Sequence, residues 1–154
     1  MFALITAEAR RNGGDIGAAI ISAVGWIADN LPVFALNLIL ATADELWALR
    51  FPATHRLYVL DRTRSPATLE VSSPRIRARS DELSDTPAVI VASEPMDGES
   101  GWRLMDPGEL THIDADLVST TTRPFPDPPR YPLTLADMSP AAAASQGAAA
   151  QSTD

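Results

Sequence analysis

The spacing of apolar residues changes once along this chain, near Asn30 and Pro32, and that change dictates the order of its elements. Before it, Ile16, Ile20, Val24 and Ile27 recur at helical intervals, with Ala and Gly at neighbouring positions, so a helix is expected from about 16 to 29. Asp15 is its candidate N-cap. Residues 2–11 read as an earlier helix with Phe2, Leu4, Ile5 and Ala9 on one side, closed by Asn12-Gly13-Gly14 as a C-cap. After Pro32 the period is two. "VFALNLILA" (33–41) and "ELWALRF" (45–51) flank the turn "TAD" and predict a hairpin of largely buried strands, with "RLYVL" (56–60) a third strand. Residues 61–86 read as a polar loop with short edge strands near 68–71 and 75–79. "PAVIVAS" (87–93) is expected to be a buried strand, and "WRLM" and "GELTHI" (108–113) a final pair joined by the Asp106-Pro107-Gly108 turn. Two helices followed by five to seven mostly antiparallel strands is an α+β pattern, one helical layer on a sheet. It reads as half of a larger arrangement, because two helices cover one face only.

From about residue 119 the character changes. "TTTRPFPDPPRYPL" is proline-rich and "SPAAAASQGAAAQSTD" is of low complexity, so residues 1–118 are expected to hold the partial domain and 119–154 a disordered Pro/Ala-rich tail. Composition narrows the function. The net charge of −8 argues against nucleic acid and anionic membrane surfaces. All twelve basic residues are Arg, which removes Schiff-base lysines and Walker-type phosphate loops. With no Cys there is no disulfide, thiolate zinc site or thiol nucleophile. The N-terminal stretch lacks the basic region of a secretory signal, and the longest apolar run, 16–28, is too short to span a bilayer. A soluble, cytoplasmic protein is expected.

Candidate chemistry is sparse. Glu94, after Ser93 and before Pro95 at the end of an apolar run, has the chemistry of a general acid or base. With no second group converging on it, the simpler reading is that Ser93 and Glu94 satisfy backbone donors where the strand turns. Asp97 and Glu99 around Gly98 offer oxygen ligands, but no regular spacing continues and a solvated turn is the expectation. His55 and His112 read as surface or strand-face residues rather than metal ligands. Trp26, Trp47 and Trp102 read as core anchors. Asn37, polar within an apolar strand, must find a partner, in a site or in neighbouring backbone. No catalytic, cofactor-binding or metal residue is assigned from the pattern.

The order of these features nevertheless resembles a known family. A helix "FALITAEA", a second helix, the hairpin "ALNLILATADELWALRF", the strand "LYVL" and then "VIVASEPMDGESGWRLMDPGELTHI" are similar to class II glutamine amidotransferases, closest to the small actinobacterial subgroup that includes the ergothioneine-pathway amidohydrolase. The likeness covers residues 2 to about 118. It implies the C-terminal half of an αββα N-terminal-nucleophile hydrolase sandwich. In such enzymes an N-terminal Cys attacks a γ-glutamyl amide and forms a thioester, with its α-amino group as base and an Asn-Gly pair donating to the oxyanion. Those residues lie in the family's first half, and none has a counterpart here. The Asn12-Gly13 pair lies between helices, so the oxyanion role is not carried onto it. The resemblance implies no cofactor. Its substrate, glutamine or another γ-glutamyl compound, is reached only when the N-terminal half is supplied, and the 154-residue chain alone is expected to be inactive. The expectation is that Met1 starts the reading frame too late; the alternative is a non-catalytic interaction or scaffolding domain that works as a homodimer or with a Cys-bearing partner.

Overall fold

The computed structural model describes residues 1–64, 69–72, 77–80, 85–98 and 100–150. The fold is α+β. Helix α1 (Phe2–Arg11) ends as its sequence predicts: Gly13 and Gly14 have φ of 76° and 96°, and the Gly14 N–H bonds to the carbonyl of Ala9, closing a Schellman-type cap. Asp15 then caps α2 (Ile16–Asn30) by accepting from the Ala18 N–H at 2.8 Å. The helices pack through Ile5 on α1 and Ala19, Ala23 and Val24 on α2, where small side chains permit close approach.

Beyond β1 (Pro32–Val33), strands β2 (Leu38–Ala41) and β3 (Leu46–Arg50) form the expected hairpin, shorter than its sequence pattern. Its turn is closed by the Thr42 hydroxyl, which accepts from the N–H groups of Asp44 and Glu45. β9 (Glu109–Ile113) and β10 (Ser119–Thr122) complete a four-stranded sheet in the order β10-β9-β3-β2. A second sheet of three strands has β4 (Tyr58–Asp61) between β7 (Val89–Ala92) and β8 (Arg103–Leu104). β5 (Leu69–Ser72) and β6 (Arg77–Ser80) pair as a separate hairpin, close to the two edge strands expected there.

The first sheet has a different neighbour on each face. Leu38, Trp47, Leu49 and Leu110 join the helices in one core, with Phe51 beside them. Ala48, alternating with Trp47 and Leu49, faces the other way and packs with Leu57, Val59 and Met105, and with Val89 and Val91 of β7. The layers therefore run helix, sheet, sheet. Each fully buried Leu, Ile or Phe contributes roughly 1.5–3 kcal/mol, so Ile20, Leu49, Phe51 and Leu60, all at 2% exposure or less, account for much of the fold's cohesion. No described helix is long and apolar enough to cross a membrane.

Three expectations are corrected. "WRLM" and "GELTHI" do not pair with each other: β8 pairs with β4 and β9 with β3, because the turn at Asp106–Gly108 carries the chain from one sheet to the other. β7 is an edge strand half-buried along its length, since only Val89 and Val91 reach the core between the sheets. The region expected to be disordered from 119 contains β10, then β11 (Tyr131–Pro132) parallel to β1, a 3₁₀ turn (Leu135–Asp137) and helix α3 (Pro140–Ala150). Between β10 and β11 the proline-rich strap seats Phe125 against Phe51, ring centroids 5.3 Å apart. Proline-rich backbone has few N–H groups to satisfy, so it can lie over a core without joining a sheet.

That strap depends on Gly108. Its φ is 79°, and a Cβ there would lie 1.7 Å from the carbonyl oxygen of Phe125. Gly108→Ala would combine left-handed strain, about 1–2 kcal/mol, with displacement of the strap. A urea-unfolding midpoint should report a loss above about 2 kcal/mol. Gly98→Ala, where nothing lies within 4 Å, should leave the midpoint nearly unchanged.

Candidate functional site

Three of the four buried polar side chains among the described residues, Arg50, Glu109 and Thr111, gather where the two sheets meet. Glu109, on the β9 face opposite Leu110, is 2% exposed. Its carboxylate accepts two bonds from the Arg103 guanidinium (2.9 and 2.7 Å), one from the Asp106 N–H (2.7 Å) and one from the Thr111 hydroxyl (2.9 Å). Thr111 in turn lies 3.2 Å from the Thr121 hydroxyl. Burial pushes the Glu109 carboxyl up, but the Arg103, Asp106 and Thr111 bonds together hold it below the usual carboxylate range. The Arg103 guanidinium is raised by its bond to Glu109. A carboxylate so filled has no proton to exchange at neutral pH, so it anchors a turn and does not act as acid or base.

Arg50 is equally committed. Its guanidinium donates to the carbonyls of His55 (2.9 Å), Met105 (2.6 Å) and Ala53 (3.0 Å), tying the loop after the cis Phe51–Pro52 bond to the end of β8. Burial lowers its pKa from the ordinary arginine value, though arginine is effectively always protonated.

Asp97 is not simply solvated. Asp97 pairs with Arg62, which is 3% exposed, at 2.7 Å, and its other oxygen accepts from the Trp102 indole N–H at 2.8 Å. Gly101 lies so close to Leu60 that a Cβ would sit 2.9 Å from the Leu60 Cδ1. The loop after β7 is thus pinned over the outer face of the second sheet. Glu99 lies outside the described residues.

One recess has mixed chemistry. About 630 Å³ in volume, it opens between the first turn of α2 and strands β3, β9 and β10, lined by Asp15, Gly17, Glu45, Trp47, His112 and Thr120 among others. His112 stacks on Trp47 at 4.5 Å and 18°. Its Nε2 is 3.4 Å from Glu45 Oε1, yet buried and without a hydrogen bond. No three His, Asp or Glu side chains come together as a metal site among the described residues. The recess can hold a small polar molecule but presents no nucleophile held by a base.

The residues singled out from the sequence do not converge. His55 bonds Gln146 of α3 at 2.9 Å, with Phe34 edge-on at 5.5 Å, remote in sequence and in contacts from His112. Asn37 is satisfied by backbone alone, donating to Arg56 O and accepting from the Phe51 N–H. Ser93 is exposed and Glu94 half-buried, and neither side chain hydrogen-bonds another described residue. Trp47 is a core anchor, Trp102 is half-buried, and Trp26 departs from expectation at 53% exposed. Arg50, Arg62 and Glu109 were not singled out, although a charge inside or beside each of three apolar strands was the available signal. Compared with protein-family models, with curated proteins and with solved structures, the chain matches none.

Two substitutions test these anchors. Glu109→Gln should cost about 1–3 kcal/mol at neutral pH. Because the folded-state pKa of Glu109 lies below its unfolded value, its contribution is full above the unfolded value, about 4.3, and is lost as pH falls through the lower folded one. Urea midpoints measured downward from about pH 6 should therefore fall less steeply in the variant. Asp97→Asn should cost about 1.5–3 kcal/mol and shift Trp102 emission to longer wavelength as the loop loosens.

Proposed function

We propose that this chain is the C-terminal half of a class II glutamine amidotransferase-type domain, and that it supplies scaffold rather than nucleophile. The observation that carries the reading is the layer order: two helices on one face of a four-stranded sheet and a second sheet on the other. An αββα sandwich contains those three layers and one more. Ile39, on the face of β2 that meets the second sheet, is 46% exposed, as expected where that second sheet stops short. The ordered motifs from "FALITAEA" to "PGELTHI" support the same reading.

In the reaction the resemblance implies, a Cys thiolate of the other half attacks the amide carbon. The carbonyl electron pair moves onto oxygen, ammonia leaves as the thioester forms, and water releases glutamate and the thiol. This chain contains no Cys. Its own side chains would hold the sheets in register, with Glu109, Arg103 and Arg50 fixing the junction between them.

The test is the native protein, captured from its host with an antibody against residues 87–118 and weighed intact. A mass well above 16.4 kDa, an N-terminal Cys, and ammonia release from glutamine that iodoacetamide abolishes are expected. The isolated 154-residue chain should release no ammonia above the uncatalysed background. A native mass of 16.4 kDa with no such release would overturn this reading in favour of a non-catalytic interaction domain.

A further inference from the structure

The four-stranded sheet has two edges, and they are not alike. At β2, Leu38 is buried and Leu40 partly buried against the helical core. At β10, Ser119, Thr120, Thr121 and Thr122 are all exposed, and among the described residues β10 pairs only with β9, on one side. An open edge presents unpaired N–H and C=O groups, which proteins usually guard with Lys, Pro or a bulge. β10 contains neither residue, and its register from Ser119↔Ile113 to Thr122↔Leu110 is unbroken. Three of its four residues are Thr, a β-branched strand former.

The charges lie at its two ends and are opposite. Exposed Arg123 follows Thr122, with its Nε donating to the carbonyl of Pro107. At the other end, the β9–β10 hairpin tip carries Asp114 and Asp116. Asp114 Oδ1 accepts from the N–H groups of Asp116 and Val118, both at 2.9 Å, which holds the tip in one shape around Leu117 at φ 61°. Beside the tip, Val118 is 57% exposed.

We propose that β10 pairs antiparallel with β10 of a second copy of this chain about a two-fold axis, merging two four-stranded sheets into one. Successive side chains alternate faces, so the axis passes through a residue that meets its own copy. Centring it on Thr120 sets Ser119 opposite Thr121 and Val118 opposite the second copy's Thr122, which brings Arg123 beside Leu117 at the second copy's hairpin tip. Each Arg123 then lies against the other copy's acidic hairpin tip, and the symmetry makes that contact twice. Parallel pairing would set tip beside tip, acid against acid, which is why the antiparallel arrangement is the one that fits. Four residues of strand form a small interface, so the dimer belongs to the weak, exchanging class. The proposal does not depend on the amidotransferase reading and stands or falls separately from it.

The experiment is sedimentation velocity on the purified 154-residue chain, from roughly micromolar to millimolar concentration. The expected result is a concentration-dependent rise from 16.4 kDa towards twice that mass. Arg123→Glu and Asp116→Arg should each weaken the dimer about tenfold, and the double swap should restore it, with far-UV circular dichroism unchanged throughout. A mass of 16.4 kDa at every concentration overturns the proposal. So does a dimer indifferent to the single reversals, and so does a double swap that fails to restore association.

Discussion

The buried guanidinium of Arg50 is the interaction on which the two-sheet arrangement turns. Taking such a cation out of water costs several kcal/mol unless it is well hydrogen-bonded, and here each of its three nitrogens donates to a backbone carbonyl. Those carbonyls belong to Ala53 and His55, in the loop that leads to β4, and to Met105, just past β8. One residue at the end of β3 therefore fixes where the second sheet enters and where it leaves. Its own carbonyl accepts from the Gly108 N–H at 2.7 Å, so the turn that returns the chain to the first sheet hangs on the same residue.

Glu109 completes that junction from the other side. It follows Gly108 directly and holds Arg103 in β8 while accepting from the Asp106 N–H between them. Strand, turn and strand are thus locked by one carboxylate, and Gly108, lacking a side chain, leaves room for the Phe125 backbone to cross. Phe125 in turn covers Phe51, next in sequence to Arg50. Electrostatic satisfaction and apolar burial meet at one place, which explains why a proline-rich strap is part of the domain rather than a loose tail.

The legible parts of the sequence were those set by neighbours along the chain. The Asn12-Gly13-Gly14 cap, the Asp15 cap and the Thr42 turn each follow from local backbone chemistry and are found as expected. The pairing of β8 and β9 was misread because adjacent strands usually pair, and nothing local says that Gly108 turns the chain into another layer. The strap was misread because proline content reports few hydrogen-bond donors and not whether an anchor such as Phe125 has a socket. Asp97 looked like a solvated turn because its partner Arg62 lies far back in the sequence. Long-range charge pairs leave no periodic trace, so Arg50, Arg62 and Glu109 could be flagged as costly only by their placement beside apolar strands.

An active site needs a group left unsatisfied until substrate arrives, and among the described residues the buried Arg50, Arg62 and Glu109 already have partners. Glu109 accepts four bonds, each Arg50 nitrogen donates to a carbonyl, Asp97 is held between Arg62 and Trp102, and Asn37 is closed by backbone at both ends. Unmet hydrogen-bonding capacity remains at His112 Nε2 in the recess and along the edge of β10, and the uncovered apolar surface includes Ile39 on β2. An open strand edge can accept another strand, and an exposed sheet face another layer.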